Sequence, residues 1–394
     1  MEKFNKAFKV RIYPTEEQIE QINQTFGCVR FVYNHFLTLN SEHKQSYNQN
    51  ARCLVELKKL NTFLKNADST ALQQALKHLD VAFDRFFKKL ADKPCYKKKH
   101  KKQSYTSISN NNSIRIIDDK HIQMPKLGKV KANIHRNVPD NWKLMSATVS
   151  KTKSGKYYAS LLFSYESQVS ETSDNNAIGF DYSSAKLYVD NNNQSPDLEK
   201  QFRKSERRLA VLQKKLSRML TANTVYYIKD SKGYNYPVYK RELSECKNIQ
   251  KQCVKIAKLS ETIANRRADA LHKLSKQIAD TYDIVCIEDL NMKAIGNKHF
   301  GNGKATFDNA WGMFTRMLEY KLKDRGKHLV KIDRFYPSSQ LCSDCGCRNK
   351  LVKNLNVRSW ICPVCGSYHN RDHNAAINIL SEGLRIHRDG TARI

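Results

Sequence analysis

The chain has 394 residues, 40% of them apolar, enough for a multidomain globular protein with a substantial core. Lys and Arg total 69 against 38 Asp and Glu, a net charge of +31, which disfavours an ordinary enzyme of small molecules and favours a polyanionic partner, nucleic acid first. No apolar run approaches the ~18–20 residues of a membrane span, and "MEKFNKAFKV" carries no apolar segment of signal-peptide length. The expectation is therefore an intracellular protein with no membrane partner, whose eleven cysteines serve as metal ligands and buried thiols.

"KAFKVRIYP" (6–14) alternates apolar and charged residues and reads as a half-buried strand stopped by Pro14. Thr15 and Gln18 are spaced as a capping box. Ile19, Ile22, Phe26, Val29, Val32 and Phe36 then recur at helical spacing, and Leu72, Leu76, Leu79, Phe83, Phe87 and Leu90 repeat the pattern, so 15–91 reads as a helical bundle. The lysine tract that follows, with Lys97, Lys98, Lys99, Lys101 and Lys102, contains no acid and is expected to contact phosphates. Strand-like segments fill 113–166, and pairing with strand 6–14 would give a small barrel or sheet carrying the helices as an insertion.

"AIGFDYSSAKLYVD" (177–190) is an apolar run ending in Asp181, followed by a second strand. Two long helices follow, with leucines near heptad spacing, interrupted by the polar stretch 221–237 and expected to pack as an antiparallel pair. "YDIVCIEDL" (282–290) is another buried strand ending in a carboxylate, Glu288. The Gly- and Asn-rich loop after it reads as a flexible lid (296–304). One more helix, stopped at Gly326, and a strand at 328–333 precede the cysteines.

Cys342, Cys345, Cys362 and Cys365 form C-x2-C-x16-C-x2-C, the spacing of a tetrahedral zinc ribbon built on two tight turns. Four ligands close the shell, so this zinc would be structural. Cys347 is then a free thiol, and His369 and His373 are expected at the surface or facing nucleic acid.

Asp181, Glu288 and Asp372 each have an ordinary explanation alone: a turn, a strand exit, a favourable charge at a helix start. Together they could meet in one crevice. Such a cluster can hold two Mg²⁺ ions that stabilise the attacking water and the leaving oxygen of a phosphodiester. Arg266 and Arg267, on the second long helix, are further candidates for phosphate contact.

The order "IGFD", "IVCIEDL", "SSQLCSDCG", "CPVCG", "HNRDHNAAINIL" resembles the TnpB family of transposon-encoded, RNA-guided nucleases related to type V CRISPR effectors, and the N-terminal blocks resemble it too. The resemblance implies a multidomain α+β fold. A wedge-like β-barrel (1–14 and 93–172) would carry an inserted helical recognition domain (15–92). An RNase H-like RuvC domain (173–336 and 367–394, with its long helical pair at 197–280) would carry an inserted four-cysteine zinc ribbon (337–366).

It also implies a metal-dependent DNA endonuclease with Asp181, Glu288 and Asp372 as catalytic Mg²⁺ ligands. Its partners would be a guide RNA from the transposon end and a double-stranded DNA target, with one protomer per guide RNA, in a prokaryotic cytoplasm at the nucleoid. A strand-transfer transposase and a nuclease-inactive RNA-guided repressor are the alternatives. Ser183 stands where many members have glycine, and 221–237 is longer than the usual connection between the two long helices.

Overall fold

A computed structural model describes residues 2–42, 45–167, 176–230, 233–296 and 303–390. The chain divides into two compact units, Met1–Gln168 and Val169–Ile394.

The first unit begins with β1 (Glu2–Tyr13), whose Phe4, Phe8, Val10 and Ile12 face inward while Lys9 points out. Three helices are inserted before the next strand: α1 (Glu16–Glu42), α2 (Tyr47–Leu60) and, after a short 3-10 turn, α3 (Ser69–Phe87). The predicted capping box forms, with Thr15 N–H donating to Gln18 at 3.1 Å and Gln18 N–H to Thr15 at 3.3 Å. The stripe Ile22, Phe26, Val29, Val32, Phe36 meets Leu72, Leu76, Leu79 and Phe83 in one core. Full burial of such side chains is worth roughly 1.5–3 kcal/mol each. Phe87 and Leu90 leave the stripe and are exposed, because α3 ends at Phe87.

Six strands complete this unit: β2 (Gln103–Ile108), β3 (Arg115–Asp118), β4 (His121–Met124), β5 (Gly128–Asn133), β6 (Lys143–Lys151) and β7 (Tyr157–Ser167). They join β1 in one antiparallel sheet of order β2-β6-β7-β1-β5-β4-β3. The expected barrel is not closed by hydrogen bonds: among the described residues β2 and β3 are the two edges of an open sheet.

The second unit starts with β8 (Ala177–Ser183) and β9 (Leu187–Asp190), then α4 (Gln201–Ala222). The stretch expected as a polar interruption is an antiparallel hairpin, β10 (Thr224–Lys229) and β11 (Asn235–Tyr239), leading to the 35-residue α5 (Lys247–Thr281). The buried Gln252 of α5 donates to the Leu212 carbonyl of α4 at 2.8 Å.

Next come β12 (Ile284–Glu288), α6 (Met292–Ile295), α7 (Gly303–Asn309), α8 (Trp311–Lys323) and β13 (His328–Ile332). The predicted lid falls largely on 297–302, outside the described residues. Its flanks, expected as loop, are the short helices α6 and α7. The ribbon hairpin β14 (Ser359–Ile361) and β15 (Tyr368–Asn370) leads into α9 (Arg371–Arg388).

The central sheet has order β13-β12-β8-β9, with β12 parallel to both β13 and β8, and β9 antiparallel to β8. Strands covered on both faces read as continuous apolar runs, which is why "IVCI" and "IGF" show no alternation. On one face Ile178, Phe180, Val285 and Ile287 pack with Leu271 and Ile278 of α5 and Phe314 and Leu318 of α8. On the other, Ile284, Cys286, Val330 and Ile332 pack against Ile379 of α9.

Candidate active site and metal centre

Residues two apart on a strand share a face. Asp181 therefore lies on the face of Gly179, and Glu288 on the face of Cys286. Both belong to the side that α9 covers. The parallel register pairs Ile287 with Phe180, so Glu288, the last residue of β12, and Asp181, which β8 passes by two residues rather than ending on it as expected, stand at the same level toward the strands' carboxyl ends. That is where open α/β sheets bind ligands.

Two glycines let α9 come this close. A Cβ on Gly179 would lie 2.5 Å from the Ala376 carbonyl and 2.8 Å from Leu380, and one on Gly383 would lie 2.3 Å from Cys286 Sγ. Asp372 is in the first turn of α9, where Asn370 caps the helix by accepting from the Asp372 and His373 amides at 3.1 and 3.2 Å. The close approach thus carries a third carboxylate towards the first two.

The electrostatics agree. Burial, then the charges of Glu288 and Asp372, push the Asp181 carboxyl well above its usual range. Burial also raises Glu288, opposed by a 2.5 Å hydrogen bond from Ser338 Oγ. As residues, all three are half-buried. The three carboxylates are not drawn within 4.8 Å of one another, as the four sulfurs of the ribbon are. Neighbouring acids, two of them held by burial in a form costly to ionise, suit a hard cation, and the donor set is all oxygen. The buried Arg371, whose Nη1 donates to the Asn354 carbonyl at 2.7 Å, adds a positive charge felt by Asp181 and Asp372. Arg358 lies 3.9 Å from Asp372.

Several residues that hold this arrangement were not singled out from the sequence. Asn374 Nδ2 donates to the Leu341 carbonyl at 2.7 Å and its Oδ1 accepts from the Ser343 amide at 3.0 Å. Asn378 donates to the carbonyls of Ser338 and Leu341, both at 2.8 Å. These asparagines are buried, and with Ser338 they tie α9 to the start of the ribbon. Asparagines four apart on an otherwise apolar helix face are the one signal that could have marked them.

The four cysteines converge. Cys342 and Cys365 Sγ are 3.6 Å apart, as are Cys345 and Cys362, and all four sulfurs lie within 4.8 Å of one another. Zinc–sulfur bonds of about 2.3 Å in a tetrahedron require roughly 3.8 Å between sulfurs, so the residues fit a zinc ion. The two knuckles are alike. Gly346 and Gly366, at φ 74° and 78°, donate to the carbonyls of Cys342 and Cys362, a conformation that favours glycine. The Cys365 backbone amide draws the Cys362 thiol down to about 6.

His369 departs from its expected surface position: it is buried, packs its ring at a tilt against Trp360 and places Nε2 3.0 Å from Cys342 Sγ. His373, also expected at the surface or on nucleic acid, is half-buried and places Nε2 3.0 Å from the Asn191 carbonyl.

The basic candidates divide. Lys98, Lys99, Lys101, Lys102 and Arg266 are exposed. Lys97 is half-buried, its backbone held by Asn34 at both N–H and C=O and its Nζ 3.9 Å from the Tyr33 ring centre, and burial draws it down to about 8. Arg267 is engaged by Asp308 at 3.2 Å, a structural ion pair that accounts for it without a phosphate.

Three family models match: "Helix-turn-helix domain" over residues 1–50, "Probable transposase" over 160–298 and "Cas12f1-like, TNB domain" over 311–379. A Streptomyces pristinaespiralis protein named "Putative RNA-guided DNA endonuclease" is 34% identical over 98% of this chain and 90% of its own length. An Escherichia coli K12 protein named "Putative RNA-guided DNA endonuclease InsQ" is 29% identical over 97% and 93%. Among solved structures, that of a Cas12f1-sgRNA-target DNA complex matches with a TM-score of 0.57 and 13% identity, covering 96% of this chain and 98% of the other, a likeness of fold. With relatives aligned along nearly their whole length, and the ribbon, strand-end acids and terminal helix in the order described, the chain belongs to the TnpB family.

Proposed function

We propose that this protein is a transposon-encoded endonuclease that cuts double-stranded DNA selected by a guide RNA. Asp181, Glu288 and Asp372 would form a RuvC-type Mg²⁺ site. The observation that carries the reading is that acids from β8, β12 and α9 come near enough for the charges of Glu288 and Asp372 to add to burial in raising the Asp181 carboxyl. Acids crowded in a chain of net charge +31 match a polyanion held by the wider surface over a local cation site.

When bound, Mg²⁺ would supply Lewis-acid stabilisation of a phosphodiester undergoing hydrolysis. The chain's own residues do the rest. β8 and β12 fix Asp181 and Glu288 at one level, and Ser338 orients the Glu288 carboxylate. Asn370, Asn374 and Asn378 fix the start of α9 and so Asp372. Arg371 offsets part of the accumulated negative charge. The four cysteines would hold a structural Zn²⁺ with no open position. Recognition of guide RNA and target falls to the basic surface, with Lys98, Lys99, Lys101, Lys102 and Arg266 as phosphate contacts.

The test is cleavage. RNA that copurifies with the protein is sequenced, and a plasmid matching its variable end is offered with Mg²⁺. The parent should cut it, and Asp181→Asn or Asp372→Asn should bind RNA and plasmid but leave the plasmid intact. Normal cutting by either variant would overturn the site.

A further inference from the structure

The hairpin β10–β11 has no part in the site above, yet among the described residues of the second unit it carries a dense exposed aromatic surface. Val225, Tyr226, Tyr227, Ile228, Tyr234 and Tyr236 are each between 51% and 65% exposed. A two-stranded ribbon with large side chains open to water on its faces is unusual unless something binds there. Cross-strand pairing sets Tyr226 opposite Val238 and Ile228 opposite Tyr236 on one face, and Tyr227 opposite Pro237 on the other.

The hairpin is firmly seated. Its base is closed by Lys240 N–H donating to the Asn223 carbonyl at 2.7 Å and by Asn223 Nδ2 donating to the Arg241 carbonyl at 2.9 Å. In its turn, Asp230 accepts from the Tyr234 amide at 2.8 Å.

Charge selects the partner. From Arg207 to Arg241 the sequence has nine Lys or Arg and a single acid, Asp230, whose carboxylate accepts that turn hydrogen bond. Beyond the hairpin, Lys247, Lys251, Lys255 and Lys258 are exposed at spacings of four, four and three on α5, which places them in one stripe along the helix. With the exposed Glu242 and Glu245 between hairpin and stripe included, Arg207 to Lys258 holds thirteen Lys or Arg and three acids, so an apolar protein partner would leave most of this positive charge uncompensated. A chain with stackable bases and a phosphate backbone satisfies both features: tyrosine faces take bases and the basic rim takes phosphates.

We propose that β10–β11 is a stacking platform for single-stranded nucleic acid, with Tyr226 and Tyr236 as the stacking groups of one face and Tyr227 as that of the other. Duplex DNA keeps its bases stacked internally and would meet only the cations.

The experiment uses the full chain and two fluorescein-labelled probes, dT20 and rU20, followed by fluorescence anisotropy, with a 20-base-pair DNA duplex alongside. A triple variant, Tyr226→Ser, Tyr227→Ser and Tyr236→Ser, should weaken binding of at least one single strand by about tenfold or more while duplex binding stays within about twofold. Whichever probe responds identifies the strand as DNA or RNA. The triple Tyr→Phe variant should bind like the parent, because stacking needs the ring and not the hydroxyl.

An unchanged melting temperature is expected, since the replaced side chains are exposed. Equal losses on duplex and single strand, or no loss on either single strand, would overturn the proposal. So would a parent that self-associates in sedimentation through the hairpin, with the serine variant monomeric and single-strand binding retained. The readout is binding alone, so its failure is separate from a failure to cut DNA.

Discussion

Ser338 Oγ donates a 2.5 Å hydrogen bond to Oε1 of Glu288, joining the turn that leads from β13 into the ribbon to one of the three acids. The Ser338 carbonyl in turn accepts from Asn378 on α9. One buried serine therefore links two of the elements that carry the site.

Removing that donor has a predictable sign. Burial already holds the Glu288 carboxyl above its ordinary value, and Ser338 is the opposing pull. In Ser338→Ala the carboxyl moves further up, so at any given pH more of it is protonated and fewer molecules can hold a cation. The acidic limb of the pH–cleavage profile should move to higher pH, with activity recovering on the alkaline side. A uniform loss at every pH would mean that Ser338 acts only through packing.

Gly179→Ala tests the close approach of α9. The added methyl would overlap the Ala376 backbone and Leu380, so the helix must shift. The expected cost is about 1–3 kcal/mol of stability, read as a lower melting temperature, with cleavage reduced further because Asp372 retreats. Cleavage unchanged at a temperature where the variant is folded would show that the acids tolerate a displaced helix.

Asp308 is nearly sealed from solvent, at 1% side-chain exposure. It accepts from the Phe202 and Arg203 amides at the start of α4, at 3.1 and 3.3 Å, and from Arg267 on α5. Asp308→Ala leaves Arg267 without its partner and should destabilise the fold by roughly 3–5 kcal/mol. The change should appear in denaturant titration. A loss below about 1 kcal/mol would return Arg267 to the list of phosphate contacts.

Zinc should be present at one equivalent per chain by elemental analysis. Cys362→Ser, or a strong chelator, should remove it and lower the melting temperature, since metal binding contributes to folding. Cleavage should fall as a consequence, because Leu341 and Ser343 anchor Asn374 and with it α9. A zinc-free protein of unchanged stability would contradict the structural role.

Much of the site was legible because it obeys simple patterns. Two buried parallel strands read as apolar runs, and each run ends in an acid. The cysteine spacing read as two knuckles. What failed to read follows from the same physics. Barrel closure depends on whether β2 and β3 meet, and alternation within a strand says nothing about its edge partners. The hairpin β10–β11 was hidden because exposed tyrosines and lysines carry no burial pattern. Asn374, Asn378 and Ser338 look like surface residues, since a buried amide or hydroxyl satisfied by backbone carbonyls or a carboxylate has no signature in composition. His369 was misplaced for a similar reason: its partners are a thiol on the first knuckle and an indole on the paired strand β14.

The dependence of the third acid on α9 has a consequence in time. During synthesis Asp181 and Glu288 emerge long before Asp372, and at ~5–20 residues per second the sheet face of Ile284, Cys286, Val330 and Ile332 waits several seconds for its cover. A nascent chain can therefore fold around two acids without being able to cut. Ribosome-bound chains stalled before residue 371 should capture nucleic acid yet leave it whole, so cutting awaits the arrival of the closing helix.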